Sequence, residues 1–260
     1  MSFVSKLVKA VTHPGKIPAW CKDKSINYRI KLHNAFIRAG ARSRPAATGL
    51  RELDEVLERA RIPTDVNDHL ATLFAESLGI APRLIVELGV RGGETAFVLE
   101  RIADLYGSRI VLVDIEECPN VSGSAHVSFV KSDDIEFAER FEAWCAERSI
   151  DSSIDILHID TSHLYDHTVR EINAWFPFLS DRAKVFFHDT HLESVFRRSD
   201  GSMERAWDND RGVIRALEDY FGKRFDETAD FIDFADGWLI KHRQICNGFT
   251  ILERIPPFRR

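Results

Sequence analysis

Four residues in the second half of the chain have side chains suited to proton and metal chemistry, and they fall in two tight groups. Asp160 and His163 lie in Ile159-Asp160-Thr161-Ser162-His163, and His188 and Asp189 in Phe187-His188-Asp189-Thr190-His191. Two carboxylates brought together offer oxygen ligands to a hard divalent cation such as Mg2+, which gives Asp160, His188 and Asp189 as the expected metal set. An imidazole beside them can take a proton from a hydroxyl, a role that suits His163 with Asp160 in support. A metal on that hydroxyl would lower its pKa and orient it. Each residue also has a plainer reading: a strand-end cap for Asp160, a surface-loop histidine for His163, a satisfied core histidine for His188. The spacing of His188 and His191 is weak support for zinc, because no cysteine or third histidine is near in sequence.

A second constellation lies upstream, in Val86-Glu87-Leu88-Gly89-Val90-Arg91-Gly92-Gly93. Glycines between a buried strand and a helix let the backbone turn sharply and approach a ligand. Nicotinamide-binding domains use a related turn with GxGxxG spacing, where a pyrophosphate lies on the helix N-terminus. Here Glu87 precedes the first glycine and Glu94 stands at the helix entrance, and a carboxylate there would repel a pyrophosphate. A cofactor with a cationic amino group and sulfonium, S-adenosylmethionine (SAM), suits acidic walls better. Asp114 ends Ile110-Val111-Leu112-Val113-Asp114, where a carboxylate can accept from both ribose hydroxyls. Ser132 or Asp133 can meet the exocyclic amine of adenine, although Asp133 or Asp134 can equally cap the next helix. The expected cofactor residues are thus Glu87, Gly89, Arg91, Gly93, Asp114, Ser132 and Asp133.

These groups need a scaffold that brings strand ends together. Apolar runs at Leu84–Leu88, Ile110–Val113, His126–Val130, Ile154–Ile159 and Ala183–Phe187 read as strands. Between them, Thr95–Leu105, Ile135–Arg148 and Val169–Leu179 read as helices. Two earlier helices are expected near 50–61 and 64–78, the second capped by Thr64 and stopped at Gly79. Gly212–Phe221 reads as a helix, and Phe231–Phe234 and Gly248–Leu252 as further strands. The alternation predicts an α/β fold: a doubly wound, Rossmann-like sheet, mostly parallel, with an antiparallel C-terminal strand and an N-terminal helical extension. Ligands of such sheets bind beyond the carboxyl ends of the strands, where every motif above falls.

The run from Leu84 to His191 resembles the class I SAM-dependent methyltransferases. More narrowly, Ile159-Asp160-Thr161-Ser162-His163-Leu164-Tyr165 followed by Phe187-His188-Asp189-Thr190 resembles the branch holding the macrocin- and mycinamicin-type sugar O-methyltransferases and the cephalosporin-hydroxylase-like proteins. The resemblance covers about 110 central residues well and the C-terminal part loosely. It implies metal-ligand positions at Asp160 and Asp189, a general base at His163, a ribose acid at Asp114, and Glu87 and Gly89 in the cofactor turn. Two departures stand out: Arg91, where many members have glycine, and His188, where the metal-dependent sugar enzymes have glutamate. Histidine favours softer ions than Mg2+. The implied activity is metal-assisted O-methylation of a sugar or glycosylated small molecule. Trp207-Asp208-Asn209 would then offer an aromatic platform and hydrogen-bonding groups to the acceptor, with Tyr165 nearby; a capped helix start is the plainer reading of that segment. The alternatives are a silent methyltransferase-like binding module and an NAD-dependent oxidoreductase.

Composition sets the limits. The chain has 260 residues, 44% hydrophobic, with a formal net charge of −6. That suits one large domain with an appendage and argues against a nucleic-acid partner, as does the lack of an Asn/Asp-Pro-Pro-Tyr/Phe signature. Cys21, Cys118, Cys145 and Cys246 form no CxxC pair and read as reduced thiols of a cytoplasmic protein. No apolar run is long enough for a membrane span, and no signal peptide is visible. Residues 1–48 differ from the domain at 49–260: ten basic residues from Lys6 to Arg44 face one acid, Asp23. Phe3, Val4, Leu7, Val8 and Val11 recur there at helical spacing. Such a helix either docks on the domain or a sister subunit, which gives a homo-oligomer, or touches a membrane surface or a partner there.

Overall fold

The computed structural model describes residues 19–37, 46–118 and 123–255. The apolar spacing proposed at Phe3–Val11 lies outside them. Helix α1 (Ala19–Ile37) is followed by α2 (Arg51–Arg59) and α3 (Leu70–Leu78). The alternating part then runs β1 (Leu84–Leu88), α4 (Glu94–Tyr106), β2 (Arg109–Asp114), β3 (Val127–Lys131), α5 (Asp134–Ala138), α6 (Phe141–Glu147), β4 (Ile154–Ile159), α7 (Tyr165–Trp175) and β5 (Leu179–His188). A hairpin of β6 (Val195–Arg197) and β7 (Met203–Arg205) leads to α8 (Gly212–Phe221), and β8 (Phe231–Ala235), β9 (Trp238–Arg243) and β10 (Phe249–Arg254) complete the chain.

Eight strands form one sheet in the order β3-β2-β1-β4-β5-β10-β9-β8. The first five are parallel, β10 joins β5 antiparallel, and β9 and β8 continue antiparallel. The mostly parallel sheet expected from the apolar runs is therefore present, with three antiparallel strands at the C-terminal end rather than one. Strand order reverses between β1 and β4, and this switch opens a crevice beyond their carboxyl ends.

Alternation along each strand splits the core into two layers. Val86 and Leu88 join Val111, Leu157, Val185 and the helices α5 to α8 on one face. Ile85, Ile110, Leu112, Ile156 and Phe186 pack on the other against α2 to α4. Two helices are shorter than their apolar pattern predicts. Residues 64–69 do not join α3, because Asn67 Oδ1 accepts from Thr64 N–H and the Thr64 hydroxyl from Val66 N–H, so Thr64 is no helix cap. The expected helix 135–148 breaks between Ala138 and Phe141.

Helix α1 docks on the β6–β7 hairpin. Asn34 donates to Met203 O and accepts from Met203 N–H, each at 2.8 Å, and Asp23 pairs with Arg205. Among the described residues no helix is long and apolar enough to cross a membrane, and Cys118, Cys145 and Cys246 are free thiols.

Candidate active site at the strand switch

Gly89 follows β1 with φ +81°, and a Cβ there would meet Asp160 O at 2.2 Å. Only glycine lets the two strand ends approach so closely. The turn closes through Gly93 N–H donating to Val90 O, and Gly93 at φ +77° starts α4. Asp114 ties the turn to β2: its Oδ2 accepts from Val90 N–H (2.7 Å) and Arg91 N–H (3.0 Å), and its Oδ1 from Glu116 N–H. Burial works against its charged form, but these three N–H groups hold the carboxyl below its ordinary pKa. The two donors on Oδ2 use both of its lone pairs, and Oδ1 keeps one beyond the Glu116 bond.

A cavity of about 520 Å3 opens over this turn. Its walls include Gly89, Arg91, Asp114, Ser132, Asp133, Asp134, Asp160, Thr161, Ser162 and His167. The sequence thus brings the turn, the β2 acid and the β3 end to one volume, and that volume is rich in carboxylates. Asp133 also caps α5, accepting from Ile135 and Glu136 N–H at 3.0 Å each.

Two acids around the turn, Glu87 and Glu94, differ from their expected placement. Glu87 is fully buried under the cavity, bonded to the Thr95 hydroxyl and 3.5 Å from His158, and it forms no part of the wall. Burial, with Asp160 near, raises its pKa to about 8. Glu94 turns back to Arg59 in a two-point ion pair of 2.7 and 2.8 Å. Its charge is therefore matched, and it does not guard the helix entrance against a pyrophosphate. Arg91 reaches away to Asp65 (2.9 Å) while its backbone at φ +46° stays in the loop. Its side chain stands between this cavity and a neighbouring one of about 470 Å3 that also touches Asp160.

The chemical group assembles at the ends of β4 and β5. His163 Nε2 is 3.1 Å from Asp189 Oδ2, and its Nδ1 is 3.8 Å from Asp160 Oδ1. Donor atoms of Asp160, His163 and Asp189 all lie within 4.8 Å of one another. His163 and Asp189 both take left-handed backbone conformations, φ +58° and +55°, which cost energy outside glycine. Asn209 holds them there: its Nδ2 donates to His163 O at 3.1 Å and Asp189 O at 3.3 Å. Asn209 is buried in that task, so it is a brace for the loops and not a sugar contact.

His188 is corrected as a metal ligand. It is 1% exposed, and its Nδ1 faces Asp160 Oδ1 at 3.1 Å and Asp189 Oδ1 at 3.3 Å. Its Nε2 faces two acceptors as well, Asp65 O and Cys246 O, at 3.2 and 3.3 Å. With acceptors on both sides the ring carries two protons and has no lone pair for an ion. Burial opposes that charge, but Asp189 and Asp160 outweigh it and raise the His188 pKa to about 10. Asp160 is held below its ordinary range, burial being overcome by His188 and His163. His69, 5.8 Å from the His188 ring, is pushed down to about 3 by burial and that neighbouring charge. Neither His69 nor Asp65 is marked by any motif.

The expected acceptor residues separate. Trp207 is exposed, 6.1 Å from the His163 ring. Asp208 is exposed and accepts from Asp210 N–H. Tyr165 is corrected: its hydroxyl donates to Asp219 on α8 and its ring packs on Arg215, so it braces two helices and lines neither cavity.

Residues 86–190 match a family model described as a methyltransferase domain. A 42-residue stretch is 45% identical to an uncharacterized protein, y4gI, of Sinorhizobium fredii; it is 16% of this chain and 5% of that much longer protein. Among solved structures, MycE methyltransferase from the mycinamycin biosynthetic pathway, in complex with Mg and SAH, shares 20% identity over 54% of this chain and 39% of its own, at TM-score 0.41. A putative caffeoyl-CoA O-methyltransferase from Staphylococcus aureus shares 14% over 88% and 98%, at TM-score 0.49. Residues 86–190, which carry the glycine turn, Asp114 and both strand-end carboxylates, are thus similar to a methyltransferase domain, and they lie on a mostly parallel, doubly wound Rossmann-like sheet.

Proposed function

We propose that the protein is a SAM-dependent O-methyltransferase acting on a hydroxyl of a sugar or glycosylated small molecule. The observation that carries the reading is the His163–Asp189–Asp160 group at the strand switch, adjoining an acid-walled cavity that opens on the glycine turn. When bound, SAM supplies a methyl group on a sulfonium. Asp114 would take the ribose hydroxyls, and Ser132 and Asp133 sit where an adenine edge would meet the end of β3. His163 is the base: Nε2–H donated to Asp189 fixes the tautomer and leaves Nδ1, on the Asp160 side, to take the acceptor proton. Trp207, exposed beside His163, gives a sugar an apolar face to stack on.

Metal assistance belongs to the same proposal. Asp189 Oδ1 is buried without a hydrogen bond, and the oxygens of Asp160 and Asp189 suit a hard cation. Those two residues would hold the ion, which would supply Lewis-acid activation of the hydroxyl. His188 offsets part of their charge and so weakens that binding.

The test is methyl transfer from labelled SAM to a panel of glycosides, with and without Mg2+. His163→Ala should lower turnover by about a hundredfold or more, the usual worth of a general base, while SAM affinity stays within a few-fold. Unchanged turnover in His163→Ala removes that residue from the mechanism. The buried His188 cation, in place of a carboxylate, favours a second reading as a silent SAM-binding module; tight SAM binding with no transfer to any glycoside would support it.

A further inference from the structure

One wall of the cofactor cavity holds a second group of ligating side chains that the methyl-transfer reading does not use. Asp134 is the first residue of α5, and His167 and Glu171 lie four residues apart on one face of α7. His167 Nε2 is 3.1 Å from Asp134 Oδ1 and 3.7 Å from Glu171 Oε1. One donor atom from each of the three lies within 4.8 Å of the others.

Two further observations point to a ligand there. Asp134 is 6% exposed and Glu171 0%, yet Asp134 Oδ2 and Glu171 Oε2 are buried with no hydrogen-bond donor. The Thr161 hydroxyl donates to Glu171 Oε1 but leaves these two oxygens unserved. Two buried carboxylates side by side cannot both stay charged without a compensating positive group. A shared proton is one solution. A cation is the better one here, because His167 brings an imidazole nitrogen to the same point. One imidazole and two carboxylates, with two ligands spaced i, i+4 on a helix, are a donor set for a borderline divalent ion. Asp134 and His167 also line the cavity, so a fourth position would open towards it.

We propose that Asp134, His167 and Glu171 form a zinc-class divalent cation site in the wall of the cofactor cavity, separate from the Asp160–His163–Asp189 group. Thr161 joins the two, since it follows Asp160 in sequence and bonds to Glu171. An ion here would fix the Asp160–Thr161 loop from behind. The inference stands independently of methyl transfer.

Calorimetric titration of the chelator-treated full chain with Zn2+ tests it. The expected result is a site, distinct from any ion held by Asp160 and Asp189, whose affinity falls at least tenfold in both His167→Ala and Glu171→Gln and is unchanged in Asp189→Asn. Proton release on binding, read from the buffer dependence of the heat, should accompany it. Circular dichroism checks that the variants fold; His167 is at the cavity edge, so His167→Ala carries the test if Glu171→Gln does not fold. Absence of zinc binding by the wild-type protein would mean that a shared proton holds the cluster and would overturn the proposal. So would zinc binding lost in Asp189→Asn and kept in His167→Ala.

Discussion

Replacing His188 with glutamine removes a buried cation without opening a large hole, and the structure sets the expected cost. The ring lies within 3.3 Å of oxygens from Asp160 and Asp189, and its far nitrogen meets two carbonyls. Deleting one partner of a buried charge pair costs about 3–5 kcal/mol. At roughly 2–4 °C per kcal/mol for a domain of this size, Tm should fall by roughly 6–20 °C. The pH dependence has a definite sign. The folded-state pKa is raised from 6.5 to about 10, so the His188 contribution is complete below pH 6.5 and is lost as pH climbs through about 10. Wild-type stability should therefore decline between pH 7 and 10, and His188→Gln should be flatter there. Urea unfolding in EDTA at several pH values reads both effects. If the ion pair is the cause, adding Asp160→Asn should recover part of the loss, with a coupling of about 2 kcal/mol in the double-mutant cycle. A loss under about 1 kcal/mol, or additive variants, would refute the buried-cation account.

Two further substitutions separate scaffold from chemistry. A Cβ on Gly212 would meet His163 O at 2.5 Å and Tyr165 N at 2.9 Å, so Gly212→Ala should displace the His163 loop and lower turnover at least tenfold while SAM affinity, read by calorimetry, stays within twofold. Asp155 is buried at the other end of β4, accepting from Arg182, Ser180 and Arg83 N–H, groups that overcome burial and lower its pKa. Its contribution is present above the unfolded-state pKa and lost as pH falls through the lowered one; Asp155→Asn should cost about 1–3 kcal/mol in urea unfolding at pH 7 and leave cofactor affinity unchanged.

The apolar strands and the glycine turn were legible because burial on two faces leaves near-continuous runs such as Leu84–Leu88 and Ile154–Ile159. Strand-end acids were legible because a parallel sheet puts its ligands at one edge. What sequence spacing hides is where a long side chain turns. Glu94 and Tyr165 sit beside motif residues, yet each is claimed by a partner far away in the chain, Arg59 and Asp219. His188 reads as a ligand by type, and only the structure shows that acceptors face both nitrogens, Asp160 at Nδ1 and the carbonyls of Asp65 and Cys246 at Nε2. The early end of α3 has the same character: Asp68 accepts from Ser199, 131 residues on, a contact no local pattern encodes. The β6–β7 hairpin, too short for a periodic signal, is what receives α1.

The central claim is that the cavity over Gly89 and Asp114 is a SAM site, and calorimetry with SAM and NADH side by side tests it most directly. The account predicts one SAM site per chain, weakened at least tenfold in Asp114→Ala, and no measurable heat from NADH. Binding of NADH in preference to SAM, or no SAM binding by the folded protein, would contradict it.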